Sequence, residues 1–160
     1  MTLRIQSLSK VEIKKYKPKE NERTILISIQ DGEKHYLPFK ERTNYITRRR
    51  YKDILFLYFD DLTSKEIKEN PYQPFIYNDD DNQLILNFLQ KHYENKDFDR
   101  LLIHCEAGMS RSHAIALFTA KYFEKDKNLY NTLLHQENKI FGGNDYIYEK
   151  LENEMGCNKY

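Results

Sequence analysis

The sequence predicts an α/β domain built on a mainly parallel sheet flanked by helices. Three apolar runs, "RTILISIQDG", "DILFLYFDDL" and "FDRLLIHCEAG", each close on turn or loop residues, as strands buried on both faces do. Between the second and third runs, and again after the third, apolar residues recur at helical spacing. Strands that alternate with helices imply parallel pairing through crossover connections.

The polar stretch "KYKPKENER" reads as a flexible surface loop ahead of the first strand. That strand holds a run of Ile and Leu and ends at Asp31 and Gly32, and the second runs through six apolar or aromatic residues into Asp60 and Asp61. "DDDNQLILNFLQKHYEN" follows, with Leu84, Phe88 and Leu89 or His92 at helical spacing. Its start at Asp79, Asp80 and Asp81 suits a helix N-terminus. The third strand ends at His104 and Cys105, and "SRSHAIALFTAKYFEK" then places Ile115, Phe118 and Tyr122 on one helix face, with His113 expected to meet solvent or neighbouring loops. In such folds ligands sit at the carboxyl ends of the strands. The polar residues at all three strand ends locate a cleft there.

A length of 160 residues fits a single domain spanning 1–160. The 26 basic and 25 acidic side chains nearly cancel, so global charge suggests neither nucleic-acid nor membrane binding. The N-terminus breaks into charges at once and no apolar run reaches membrane-spanning length, so a cytoplasmic protein is expected. Two cysteines, Cys105 and Cys157, make no disulfide framework, and no Cys/His cluster offers a zinc site. Cys105 is thus expected to be a reduced thiol and Cys157 incidental, with no metal and no cofactor implied. No repeat or low-complexity tract interrupts the chain.

"HCEAGMSRS", residues 104–112, carries the chemistry. A strand that turns through a short loop into a helix presents successive backbone N–H groups around a concavity, and the helix adds its positive dipole end. Residues Glu106, Ala107, Gly108, Met109, Ser110 and Arg111 would cradle a phosphate in this way. Gly108 lets the loop turn without a Cβ in the approach, and Arg111 can grip two phosphate oxygens in bidentate fashion. A thiol at the base of such a nest is stabilised as thiolate. Cys105 would then attack phosphorus, Ser112 would donate its hydroxyl to the sulfur and His104 would orient the loop. The plainer alternative is a buried thiol beside an arginine that merely caps a helix. The joint occurrence of His, Cys, Gly, Arg and Ser at a strand-loop-helix junction argues against it.

These residues resemble the HCxxGxxR[ST] signature of the cysteine-dependent protein tyrosine phosphatase superfamily, and the loop is similar to those of small bacterial and phage members related to dual-specificity phosphatases. The resemblance runs more loosely over about residues 23–155 through "ILISIQD", "FLYFDD" and "NDYIYEKLE", and leaves the first twenty or so residues unmatched. It implies a four- or five-stranded sheet flanked by helices, a phosphate-binding loop between strand and helix, a phosphocysteine intermediate, no metal, and an aspartic acid from another loop. The chain has no Trp, so the Trp-Pro-Asp loop of the large tyrosine-specific enzymes is absent. The late position of the signature separates the chain from the low-molecular-weight phosphatases. Glu106 and Met109 stand where phosphoinositide readers carry lysines, although cysteine phytases also begin "HCEAG". Met109 reads as a packing residue.

Departure of an alkoxide needs a proton, and a positioned acid supplies about 10²–10⁴-fold. "FDDL" provides the candidate by its strand-end position and its likeness to the family's acid-bearing stretch. Asp61 is assigned as the acid. Successive strand side chains face opposite ways, so Asp60 is expected to cap the turn. "TRRRYKD" is the one local basic cluster, read as a solvated face, with Arg48, Arg49 or Arg50 lining the substrate approach as the functional option.

The function expected is hydrolysis of phosphomonoesters on a phosphorylated protein or peptide by a monomeric tyrosine or dual-specificity phosphatase. The alternatives are an inositol polyphosphate phosphatase, a non-catalytic phosphoprotein-binding module of the same fold, and a rhodanese-like sulfur carrier, which His104 and the Gly108 to Ser112 spacing disfavour.

Overall fold

The structure, a computed structural model, describes residues 3–157. Strands β1 (Ile5–Leu8), β2 (Thr24–Gln30), β3 (Asp53–Tyr58) and β4 (Arg100–His104) form one sheet in the order β1-β4-β2-β3, and every pairing is parallel. The three apolar runs are β2, β3 and β4. The fourth strand, β1, lies in the N-terminal segment that the resemblance did not reach.

Helices cover both faces, which is why β2, β3 and β4 read as near-continuous apolar runs rather than alternating. All seven residues of β2 are buried. On one face Ile25, Ile27, Ile29, Leu57, Leu101 and Ile103 pack against α4 (Asp79–Asn95), α5 (Arg111–Thr119), α6 (Lys127–Leu134) and α7 (Asp145–Cys157). On the other, Leu26 and Leu102 meet Ile13 of α1 (Lys10–Lys15) together with Tyr45, Ile46 and Tyr51 from the segment that follows α2 (Phe39–Thr43). A further short helix, α3 (Ser64–Glu69), follows β3. Among the described residues no helix is long and apolar enough to cross a membrane.

The acidic run at 79–81 opens α4. Asn78 is its N-cap, accepting from the Asp81 amide at 3.0 Å, while the Asp81 carboxylate accepts from the Asn78 amide at 3.1 Å, a reciprocal capping box. The buried stripe of α4 is Asn82, Ile85, Leu86, Phe88, Leu89 and His92. Leu84, expected on that stripe, is instead 47% exposed, because the packed face runs from Asn82 to Ile85 and Leu86 and leaves it to one side.

Helix α5 follows the loop after β4 and is buried at all nine positions. His113, expected at the surface, is enclosed with the rest of this central helix, and neither ring nitrogen has a hydrogen-bond partner. Burial, with the nearby Lys139 charge, holds its pKa down at about 4, and burial holds His104 at about 4 as well.

Both histidines fold in the neutral form and protonate more readily when unfolded, where the pKa is about 6.5. Their contribution is complete above that value and is lost as pH falls toward about 4, at no more than about 1.4 kcal/mol per pH unit each. Denaturant melts should therefore show stability falling between pH 6.5 and 4, and His113→Leu should flatten that fall by about 1 kcal/mol per unit. Wild-type acid sensitivity in His113→Leu would show that this ring is not responsible.

Candidate active site

Strand β4 lies between β1 and β2, so the loop that leaves its carboxyl end, Cys105–Ser110, rises from the middle of the sheet and enters α5. Almost every carbonyl of this loop is held from outside. The Cys105 carbonyl accepts from His104 Nδ1 at 3.3 Å and the Glu106 carbonyl from the Lys10 amide at 3.1 Å. The Gly108 carbonyl accepts from Lys139 Nζ at 2.6 Å and lies 3.1 Å from Ser7 Oγ. The Met109 carbonyl accepts from the Ile140 amide at 3.0 Å, and the Ser110 carbonyl from the Asn144 amide at 3.1 Å. In a trans peptide the N–H points opposite to the C=O, so carbonyls fixed outward leave the following amides facing in. The amides of Glu106, Ala107, Met109 and Ser110 have no acceptor among the described residues, while that of Gly108 donates to Cys105 Sγ at 3.2 Å.

Gly108 has φ +71°, and a Cβ there would lie 2.5 Å from the carbonyl carbon of Leu8 and the amide of Ser9. The edge of β1 thus touches the back of the loop. Gly143, at φ +69°, lets the segment between α6 and α7 approach the backbone of Ala114, where a Cβ would come within 2.5 Å.

Cys105 is buried. Its Sγ lies 3.2 Å from Ser112 Oγ, which in turn lies 2.7 Å from Ser7 Oγ. His104 Nε2 meets Ser28 Oγ at 2.7 Å and the Tyr45 hydroxyl at 3.1 Å. A carbonyl only accepts, so the contact with Cys105 O puts the ring proton on Nδ1 and leaves Nε2 to accept from these hydroxyls. Burial pushes the Tyr45 phenol up to about 12, which keeps it a neutral donor.

Arg111 opens α5 and is 4% exposed. Its Nη1 donates to the Phe59 carbonyl at 2.7 Å and pairs with Asp31 Oδ1 at 2.9 Å. Nε is buried without a partner, so the Nε edge of the guanidinium is available to an oxyanion. Asp61 Oδ1 accepts from Ser110 Oγ and from Asn144 Nδ2, each at 2.8 Å. Both donors reach the same oxygen. Asp60 turns the other way and caps the chain at Gly32, whose amide it accepts at 2.9 Å.

The structure therefore gathers Cys105, Arg111, Ser112, His104 and Asp61 around one loop. Glu106 and Met109 are exposed at its rim. Arg48, Arg49 and Arg50 are exposed too, and the Arg48 guanidinium lies 4.9 Å over the Phe39 ring. The Cys157 side chain lies outside the described residues. Sequence reasoning missed Ser7, Ser28, Tyr45, Lys139 and Asn144. Of these Ser28 and Asn144 stand in stretches that carried the resemblance, "ILISIQD" and "NDYIYEKLE".

The chain matches no protein-family model and no curated protein sequence. Among solved structures it is similar to the human tyrosine phosphatase-like serine/threonine/tyrosine-interacting protein, with 17% identity and a TM-score of 0.53 over 87% of this chain and 80% of that one. It is also similar to Tk-PTP in the active form, with 13% identity and a TM-score of 0.54 over 96% of this chain and 92% of that one. The fold is that of the protein tyrosine phosphatases.

Gly108→Ala tests the loop. It forces a Cβ onto the β1 backbone at a left-handed φ, and should cost about 2 kcal/mol or more. It should also abolish vanadate binding measured by calorimetry. A stable Gly108→Ala protein with unchanged vanadate affinity would rule out this account of the loop.

Proposed function

We propose that this protein hydrolyses phosphomonoesters through a phosphocysteine intermediate, acting on phosphotyrosine and related side chains of protein or peptide substrates. The observation that carries this reading is the convergence of the Gly108 amide and the Ser112 hydroxyl on Cys105 Sγ, each at 3.2 Å, at the floor of a loop with inward amides. Both donors face the sulfur that would attack.

In the first step Cys105 Sγ forms a bond to phosphorus as the ester P–O bond breaks. The equatorial oxygens take the loop amides and the Nε edge of Arg111, which stabilise charge as it spreads. Asp61 gives a proton to the leaving oxygen. Ser110 and Asn144 both donate to its Oδ1, which leaves Oδ2 to carry that proton. In the second step a water attacks phosphorus, Asp61 takes the proton back, and the Cys105 thiolate leaves with the Ser112 hydroxyl donating to it.

The rim carries Asp31, Asp61 and Glu106, and Lys139 is spent on two carbonyls. That charge pattern favours a single phosphate on a protein side chain over an inositol polyphosphate. A second reading, capture of phosphoproteins without turnover, draws support from the name of the human neighbour, a phosphatase-like interacting protein. Turnover separates the two.

Purified protein should hydrolyse p-nitrophenyl phosphate in the presence of a chelator, and vanadate should inhibit it. Cys105→Ser should bind phosphate and release no product. Hydrolysis by Cys105→Ser at the wild-type rate would overturn the covalent step, and absence of turnover in the wild type would favour the binding module.

Asp61→Asn should slow esters with poor, high-pKa leaving groups by about 10²–10⁴-fold and leave activated aryl phosphates nearly unchanged. A plot of log rate against leaving-group pKa should steepen in Asp61→Asn alone. Steepening in Asp60→Asn instead would exchange the two roles.

A further inference from the structure

The hydroxyls beside the cysteine pose a proton count. Ser7 Oγ stands 3.1 Å from the Gly108 carbonyl and 2.7 Å from Ser112 Oγ, and Ser112 Oγ stands 3.2 Å from Cys105 Sγ. Each hydroxyl has one proton. The short contact between the two oxygens needs a proton in it, supplied by one serine or the other. If Ser7 gives its proton to Gly108 O, the proton between the serines must come from Ser112, and nothing from Ser112 is left for the sulfur. If Ser7 gives its proton to Ser112, then Ser112 is free to donate to Cys105.

Lys139 decides between these arrangements. Its Nζ reaches Gly108 O at 2.6 Å and Ser7 O at 2.8 Å. The carbonyl that competes for the Ser7 proton is therefore already satisfied by a stronger, charged donor. Among the described residues Lys139 makes no ion pair with a carboxylate. Burial pushes its pKa below the usual lysine range, while the Cys105 anion and Glu12 act in the opposite direction. A half-buried ammonium with only carbonyl partners is best tolerated where an anion forms nearby.

Resting on the phosphocysteine reading, we propose that Ser7 and Lys139 are positioning residues which together aim the Ser112 hydroxyl at the Cys105 sulfur. Lys139 occupies the Gly108 carbonyl, Ser7 turns its proton to Ser112, and Ser112 turns its own to the thiolate. Neither Ser7 nor Lys139 touches substrate. When the thiol is protonated, its S–H donates to Ser112 Oγ and the chain of hydroxyls reverses.

The test is the rate at which iodoacetamide alkylates Cys105, followed by mass spectrometry on the peptide that contains it. This needs no turnover, so it stands or falls apart from the enzymatic reading. The titratable and charged groups near the sulfur and Lys139 are the same in every variant: His104, Glu106 and Arg111 of the loop and its flanks, Asp31 and Asp61 at the strand ends, Lys10 and Glu12 of α1, and His113 of α5.

Ser7→Ala should slow alkylation at pH 6 by about fivefold to tenfold, the value of one ordinary hydrogen bond. Ser7→Thr, which keeps the hydroxyl, should restore the rate. Lys139→Met should act in the same direction as Ser7→Ala, and the double variant should be no slower than the slower single one. Both effects should vanish in a Ser112→Ala background. Should Lys139→Met not fold, the serine variants decide alone. Unchanged alkylation at pH 6 in Ser7→Ala, or an effect that survives in Ser112→Ala, would overturn the proposal.

Discussion

The site depends on one constraint, the fixing of the loop carbonyls from outside. A loop of bare amides has no reason to point its N–H groups the same way, because each peptide plane can flip and take solvent on either side. Here the planes are tied by their oxygens. Lys10 holds Glu106, Lys139 holds Gly108, Ile140 holds Met109 and Asn144 holds Ser110. The donors come from α1 and the connection between α6 and α7. Inward-facing amides and the concavity they line are thus a consequence of packing at two distant stretches of chain.

The floor beneath the loop is neutral by design of its surroundings. His104 is the last residue of β4 and lies between Leu8 of β1 and Ser28 of β2 in the sheet register. Enclosed there, with its pKa held at about 4, it can orient the Cys105 peptide through Nδ1 without adding a charge. The positive charge at the site then comes from Arg111 on one side and Lys139 on the other. Their roles differ because Arg111 keeps its Nε edge open, while Lys139 is committed to carbonyls.

Sheet and loop were legible in the sequence for physical reasons that do not extend to the rest of the site. Strands buried on both faces need continuous apolar runs, so β2, β3 and β4 announce themselves. The strand β1, four residues of "IQSL", has two polar side chains among four and no such run. Its contribution is made largely by backbone contact with Gly108 and by one hydroxyl, neither of which leaves a pattern. Lys139 and Asn144 lie in an irregular connection, where any polar residue is ordinary. The burial of His113 was missed for a related reason: the amphipathic pattern assumes one solvent-facing side, and α5 has none.

The three acidic residues at the strand ends show how strand order becomes chemistry. β2 pairs with both β3 and β4, so its end stands beside the end of each. Asp60 leaves β3 and caps Gly32, which ties the chain after β2 to the chain after β3. Asp31, beside that tie, is thereby placed to hold Arg111 Nη1. Asp61 points the other way along the same extended segment, as successive residues must, and reaches the far end of the loop at Ser110. Two neighbouring aspartates of identical chemistry are separated only by the alternation of the backbone. One tethers the turn that orients the arginine, and the other meets Ser110 and Asn144 through one carboxylate oxygen.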